Sequence, residues 1–176
     1  MKKNIIVATL VAAAAMTAAS AFAADGTINF TGSVIDQACE VNGGSNTLTV
    51  TMGNVAKSAL AVPGNTAAAT AFTLNVKNCP STTDGNVQVS FDGKNVDGNT
   101  EVLALTNAGT PGVAKGVGIQ LYDKSQNKLP LNTASTTYAL SNGDATLDFV
   151  ARYIATNATV EAGSADAAVN FTIIYN

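Results

Sequence analysis

The sequence contains no histidine and no tryptophan, and only two of its 176 residues are cysteine. Without histidine, the Ser-His-Asp and Cys-His mechanisms of nucleophilic catalysis are excluded. A metal site would have to be built from carboxylates alone, and the cysteines do not form the CxxC motif of redox proteins. Since no other nucleophile-and-base set is visible, we expect a protein that is not an enzyme and that needs no cofactor or metal.

Charge is also scarce, with 12% of the residues charged. Without residues 1–23, the chain keeps 7 basic and 12 acidic residues and a net charge of −5. That balance argues against nucleic acid and anionic membrane surfaces as partners. The acidic residues are scattered, and several occupy turns beside Gly or Lys, where hydrogen bonds to the local backbone explain them: Asp84, Asp92, Asp97, Asp123 and Asp144.

The apolar run at the start of the chain is short. Two lysines precede the apolar residues 5–15, and the small-x-small motif AFA follows at residues 21–23. This order predicts a secretory signal peptide over residues 1–23, cleaved between Ala23 and Ala24. A membrane anchor is the alternative, but the run is too short to span a bilayer, and no later segment is long and apolar enough to insert. We therefore expect an exported bacterial protein whose remaining 153 residues form one domain.

The two cysteines, Cys39 and Cys79, are 40 residues apart. In an exported protein, a pair of cysteines is expected to form a disulfide bond. Closing a loop of that length would stabilise the fold by roughly 4 kcal/mol in the chain-entropy model.

Apolar residues alternate with polar ones throughout the mature chain, and a helical period appears nowhere at length. Alternation with period 2 predicts strands with one buried face, here at residues 47–52, 72–76, 87–91, 102–105, 117–121, 147–153 and 169–175, with weaker segments at 129–131 and 136–140. Gly, Asn and Asp separate these segments, and residues 53–70, 107–116 and 157–168 are predicted loops. The pattern predicts an all-β, immunoglobulin-like sandwich with Greek-key connections.

Residues 26–39, GTINFTGSVIDQAC, show the same alternation at the start of the mature chain. Ile28, Phe30, Gly32 and Val34 fall on one side of an extended segment. A glycine inside a strand often marks the close approach of another backbone. The segment is either an ordinary first strand of its own domain or a strand that presses into another molecule.

In combination, these features resemble the chaperone–usher pilins, of the type 1 fimbrial major-subunit kind. The alternating N-terminal segment around a glycine leads into Cys39, and Cys79 follows at the spacing that the family uses. Three further segments are similar to family strands: GVGIQLYD at 116–123, LPLN at 129–132 and ARYIAT at 151–156. The C-terminal signature is a penultimate tyrosine, a glycine fourteenth from the end and alternating apolar residues between them, here Tyr175, Gly163, Val169, Phe171 and Ile173.

The resemblance implies an immunoglobulin-like sandwich that lacks its last strand and is completed by a donor strand. Residues 24–38 would be the donor-strand extension, with Ile28, Phe30, Gly32 and Val34 entering the groove, and residues 39–176 the pilin domain. The groove would be flanked by the first strand and by a C-terminal strand, which the chaperone also contacts and which contains Gly163, Val169, Phe171, Ile173, Tyr175 and Asn176.

The partners that the resemblance implies are a periplasmic chaperone, an outer-membrane usher and neighbouring copies of the chain. The chain would travel through the periplasm and polymerise head to tail into an extracellular fimbrium that supports adhesion and biofilm formation. Its length implies a rod subunit or a small adaptor. The alternative is a self-contained secreted β-sandwich that binds a sugar or a protein through its loops.

Overall fold

The computed structural model describes residues 28–32, 39–45, 47–79 and 85–175. The predicted signal segment with its cleavage site at Ala23 and Ala24, the turn residue Asp84, the donor residue Val34 and the C-terminal Asn176 lie outside the described residues. The chain divides into two compact units, Met1–Val34 and Ile35–Asn176.

In the first unit, the described residues 28–32 form neither helix nor strand. The side chains of Ile28 and Phe30 are strongly exposed, at 79% and 91%. A strand needs a neighbouring backbone to form a hydrogen-bonded ladder, and residues 28–32 have no such partner in the described part of the chain. The role of Ile28, Phe30, Gly32 and Val34 as a donor strand therefore stays a prediction.

The second unit is an antiparallel β-sandwich with two sheets. The strand order in the larger sheet is β1 (Glu40–Val41), β2 (Thr66–Lys77), β8 (Ala145–Ala155), β6 (Val117–Asp123), β5 (Asn99–Leu103) and β4 (Asn95–Val96). The order in the smaller sheet is β7 (Tyr138–Ala139), β3 (Asn86–Asp92) and β9 (Asn170–Tyr175). Helical structure in the described residues is confined to two 3₁₀ turns, Asn42–Gly44 and Lys57–Leu60. The all-β prediction is confirmed.

The predicted alternation matches the burial of the long strands. In β3, Val87, Val89 and Phe91 are buried, whereas the residues between them are half-buried. In β8, the alternate residues from Leu147 to Tyr153 are buried in the same way. The inward faces of the two sheets form the core, as expected for sheets that pack face to face.

Three predictions about strands differ from the structure, the simplest being the weak segment at 129–131, which forms no strand. Residues 47–52 carry the alternating pattern but form no strand, because no backbone–backbone hydrogen bond joins them to another segment of the described chain. Conversely, β2 begins at Thr66, inside the predicted loop 53–70. Its first residues pair with the end of β8, and an irregularity between Ala67 and Thr70 interrupts the ladder.

Four aromatic rings lie at the centre of the sandwich. Phe149 of β8 contacts Phe72, Phe91 and Tyr138, with ring centroids 5.5, 5.2 and 5.8 Å away. The Phe91 ring meets Phe149 edge to face, an arrangement that adds about 1 kcal/mol to the burial of the rings. Because Phe91 belongs to the smaller sheet and Phe72 and Phe149 to the larger one, the cluster holds the two sheets together.

The predicted disulfide bond is present between Cys39 and Cys79. It connects the residue before β1 with a residue just beyond the end of β2. The same two strands pair through Glu40 with Lys77 and Val41 with Val76. The bond therefore fastens the short β1 to the edge of the larger sheet.

Candidate functional site

The last strand of the chain has one free edge. β9 pairs along its length with β3, from Asp92–Asn170 to Val87–Tyr175. On its other side, β9 has no ladder partner among the described residues. An unpaired strand edge presents a row of backbone N–H and C=O groups and is a template for another strand.

A long apolar groove lies beside this free edge and has a cavity volume of about 1110 Å³. One wall, called here the first wall, consists of residues 47–55, the segment whose predicted strand did not form. The other, called here the C-terminal wall, consists of residues 160–171. The floor is formed by apolar residues of both sheets, among them Phe72, Leu74, Phe91, Leu103, Val117, Ile119, Leu121, Ala151 and Tyr153. The groove thus reaches the core of the sandwich.

The two walls run in opposite directions. At the end called here the lower end, the hydroxyl of Tyr175 lies 3.2 Å from the backbone nitrogen of Cys39, just before the first wall. At the upper end, Leu60 is buried after the first wall, and Gly64 donates a backbone hydrogen bond of 2.8 Å to Ala155. The C-terminal wall begins at this upper end, five residues beyond Ala155, and runs down toward Tyr175.

The C-terminal wall continues the alternating pattern of the predicted C-terminal strand. Val169, Phe171, Ile173 and Tyr175 are half-buried and pack against the core, as do Ala165 and Ala167 further up the wall. Between them, Asn170 and Thr172 are exposed, whereas Ile174 is half-buried. The sequence-predicted residues of this strand therefore lie together on one side of the groove, except for Asn176, which is outside the described residues.

Gly163 lies in the upper part of the C-terminal wall and packs directly on another backbone. A methyl group at position 163 would be only 2.5 Å from the backbone nitrogen of Ala114 and 2.7 Å from the carbonyl oxygen of Gly112. The flanking residue Ser164 exchanges backbone hydrogen bonds of 2.8 and 2.9 Å with Gly112 and Ala114. Only glycine allows this approach, which explains the glycine in physical terms.

Three charged residues line the groove: Lys57 and Glu161 in its upper part, and Asp166 in the middle of the C-terminal wall. Glu161 forms an ion pair of 2.7 Å with Lys115. Lys57 is exposed and has no ion-pair partner among the described residues. It is also the only charged residue between Glu40 and Lys77. No sequence motif marks Lys57, because only the fold shows which residues line the groove.

The predicted explanation of the turn aspartates holds for Asp123, which is buried at the end of β6. Its carboxylate accepts hydrogen bonds from the backbone N–H groups of Ser125 and Asn127 and from the side-chain amide of Asn127. Burial raises the pKa of this carboxyl group, but the three hydrogen bonds and the nearby Lys124 outweigh burial and lower the pKa below its usual value. Asp123 is therefore a structural residue of its turn.

No group of metal-ligating side chains appears among the described residues. Within the same residues, no helix combines the length and hydrophobicity needed to cross a membrane. The fold and the groove define a class: an immunoglobulin-like sandwich whose last strand leaves an apolar groove open at its edge.

Comparison with known proteins agrees with that class. The family model described as fimbrial protein matches residues 28–176. The chain is 34% identical over 175 residues to the probable major fimbrial subunit LpfA of Escherichia coli O157:H7, covering 99% of this chain and 97% of that protein. The chain therefore belongs to the fimbrial protein family.

Two solved structures show the same fold. The antigen and type I fimbria protein BPSL1626 of Burkholderia pseudomallei is 38% identical, with a TM-score of 0.60 over 85% of this chain and 97% of that chain. A subunit of a chaperone–usher pilus is 24% identical, with a TM-score of 0.65 over 87% of this chain and 96% of that chain.

Proposed function

We propose that this protein is a structural subunit of a bacterial surface fimbria and that it polymerises by donor-strand exchange. The observation that carries the proposal is the apolar groove beside the free edge of β9. Addition of a strand to such an edge is a known mode of recognition, of which chaperone–pilin complementation is an example. The occupant in the fimbria is the N-terminal segment of a second copy, with Ile28, Phe30, Gly32 and Val34 facing the floor.

The match between segment and groove is one of length and polarity. The seven residues 28–34 span about 23 Å in an extended conformation, and the first wall consists of nine residues. Ile28 and Phe30 are exposed in the free chain, so their transfer into the groove removes apolar surface from water. Burying Ile28, Phe30 and Val34 is worth roughly 5–9 kcal/mol in total, and backbone ladder bonds add about 1 kcal/mol each.

The direction of the inserted strand follows from where the receiving domain begins. Cys39, the residue at which the proposed pilin domain begins, lies at the lower end of that domain's groove. Its own extension therefore starts there, and an incoming domain at the same end would collide with it. The incoming domain must sit at the upper end, so its strand runs antiparallel to β9. Repeating this heterologous contact does not close a ring and produces a filament.

Before assembly, the same groove would be the binding site of a periplasmic chaperone that lends a strand. The alternating residues Val169, Phe171, Ile173 and Tyr175, with the terminal carboxylate of Asn176, would be its contact surface. An outer-membrane usher would then exchange that strand for the extension of the next copy. Export through the periplasm after cleavage between Ala23 and Ala24, and a role in adhesion, belong to this proposal.

The test uses two soluble forms of the chain. The first comprises residues 33–176, and the second carries residues 24–37 attached after Asn176 through a flexible linker. We expect the second to be a monomer with a melting temperature higher by tens of degrees, because its own strand fills the groove. A matched control carries Phe30→Asp in the attached segment and should lose most of the gain. If residues 33–176 are already as stable as the extended form, the sandwich is complete and donor-strand exchange is wrong.

A further inference from the structure

The alternation of the donor segment continues one step beyond its apolar residues. Ile28, Phe30, Gly32 and Val34 are followed at the same spacing by Asp36. In an extended strand, residues two apart share a face, so the face that enters the groove ends in a carboxylate. The other acidic residue of the extension, Asp25, has the opposite parity and would point away from the floor.

The strand direction proposed above puts Asp36 at the upper end of the receiving groove. That end carries Lys57, the one charged residue of the first wall and of the turn that follows it. Two other charged groups are near, but Lys115 and Glu161 already form an ion pair of 2.7 Å with each other. Asp166 of the C-terminal wall is acidic and would repel a carboxylate. Lys57 is therefore the cation available to Asp36.

We propose that Lys57 of the receiving copy and Asp36 of the incoming copy form an ion pair that sets the register of the inserted strand. The inference rests on the proposed donor-strand function. A segment with period-2 alternation can slip by two residues and still present the same face. A slip that draws the strand further in would move Asp36 among the apolar floor residues, where an unpaired carboxylate is costly. Asp36 thus limits how far the strand can be inserted, and the ion pair with Lys57 keeps Asp36 at the upper end of the groove.

The experiment compares fimbriae of the full chain carrying Lys57→Glu, Asp36→Lys or both changes. Every copy in a homopolymer carries the same substitutions. Each contact between copies therefore contains one reversed charge in the single variants and two in the double variant. We expect each single reversal to speed dissociation of isolated fimbriae in a fixed concentration of denaturant by about fivefold, the scale of an exposed ion pair. The double reversal should bring the rate back to within about twofold of the parent chain. Asp25→Lys, at the other end and on the other face, is the matched control and should not rescue Lys57→Glu.

Milder variants and salt provide a second readout. Lys57→Gln and Asp36→Asn keep the size of the side chains, and fimbriae built from either should lose the salt dependence of dissociation that the parent shows between low and high NaCl. The inference is overturned if the double reversal dissociates as fast as the worse single variant, or if Asp25→Lys rescues Lys57→Glu.

A further variant separates this inference from the proposed function. If Phe30→Asp abolishes fimbriae while the changes at Lys57 and Asp36 have no effect, only the ion pair is wrong. If Phe30→Asp leaves fimbriae intact, donor-strand exchange itself fails and the ion pair fails with it.

Discussion

The hydroxyl of Tyr175 accepts a hydrogen bond of 3.2 Å from the backbone N–H of Cys39, across 136 residues of sequence. Tyr175 ends β9, and Cys39 carries the disulfide bond to Cys79 just before β1. The contact thus joins the strand with the free edge to the disulfide-bonded residue that precedes β1. We infer that it stabilises the lower end of the groove.

Tyr175→Phe tests this contact. Removing the hydroxyl leaves the N–H of Cys39 without its partner, and we expect a loss of about 1 kcal/mol in the free energy of unfolding of the full chain. Urea unfolding at fixed protein concentration measures the change. Tyr153→Phe is the matched control, because the Tyr153 hydroxyl has no hydrogen-bond partner among the described residues, and it should change stability by less than about 0.5 kcal/mol. Equal losses in the two variants would contradict a specific role for the Tyr175 hydroxyl.

Gly163→Ala should be strongly destabilising. The added methyl group would overlap the backbone nitrogen of Ala114 and the carbonyl of Gly112, and backbone atoms cannot rotate away as side chains do. We expect a loss of about 1–3 kcal/mol, typical of overpacking, together with weaker filaments because the C-terminal wall shifts. Thermal unfolding and fimbrial yield measure the two effects. The control Ser164→Ala, one residue further along the chain, should change the stability little. A Gly163→Ala variant as stable as the parent would contradict the prediction and show that the wall can move to accommodate the methyl group.

The lowered pKa of the Asp123 carboxyl group predicts that the stability of the fold depends on pH. Its folded pKa is lower than its unfolded value near 4, so ionisation of Asp123 favours the folded state. This contribution is fully present above about pH 4 and is lost as the pH falls through the lower folded pKa. Asp123→Asn should cost about 1–2 kcal/mol at pH 7, and the difference from the parent should shrink toward pH 2.

Urea unfolding of both chains at pH 7, 4 and 2.5 measures the effect of Asp123. Asp148→Asn is a suitable control, since Asp148 is exposed and its carboxylate accepts one hydrogen bond from the described residues, donated by the hydroxyl of Thr73. A difference between Asp123→Asn and the parent that stays constant with pH would contradict the proposed role of the ionised carboxylate.

Gly32→Leu should block polymerisation while leaving the domain folded. A Cβ atom at position 32 has no heavy atom of the described chain within 4 Å, so the chain itself offers no clash. In the groove of a second copy, however, Gly32 would face the floor between Phe30 and Val34. The donor backbone would lie too close to the floor there to leave space for a leucine side chain. Electron microscopy and fimbrial yield measure the result.

The control for Gly32→Leu introduces the same side chain one residue earlier. Thr31 lies on the opposite face of the alternating segment, so Thr31→Leu should reduce fimbrial yield by no more than about twofold. Fimbriae of normal length from Gly32→Leu, or equal loss from both variants, would contradict the idea of a shallow pocket at this position.

Much of the fold was predictable because the information is local. The alternation in β3 and β8 specified strands with one buried face, and the export signal specified that Cys39 and Cys79 would be paired. The resemblance of both ends of the chain to pilins predicted the family and the C-terminal groove strand. Each of these features is contained in neighbouring residues or in residue types.

What the sequence could not predict depends on partners far away along the chain. Residues 47–52 have the pattern of a strand, but a strand also needs a neighbouring backbone, and the structure leaves them as a wall of the groove. Conversely, Thr66 begins a strand inside a predicted loop because the end of β8 lies beside it. Ladder formation is a property of two segments, so one segment cannot reveal it.

By itself, the sequence determined the class of fold, the disulfide bond and the alternating apolar faces at both ends of the chain. The tertiary structure decided the rest: that one edge of β9 is unpaired within the described residues, that Gly163 packs on the backbone of Gly112 and Ala114, and that Lys57 lines the groove. The physical reason is that periodicity follows from the chain geometry of each residue, whereas an edge, a close approach and a charge at a rim exist only once distant segments have come together.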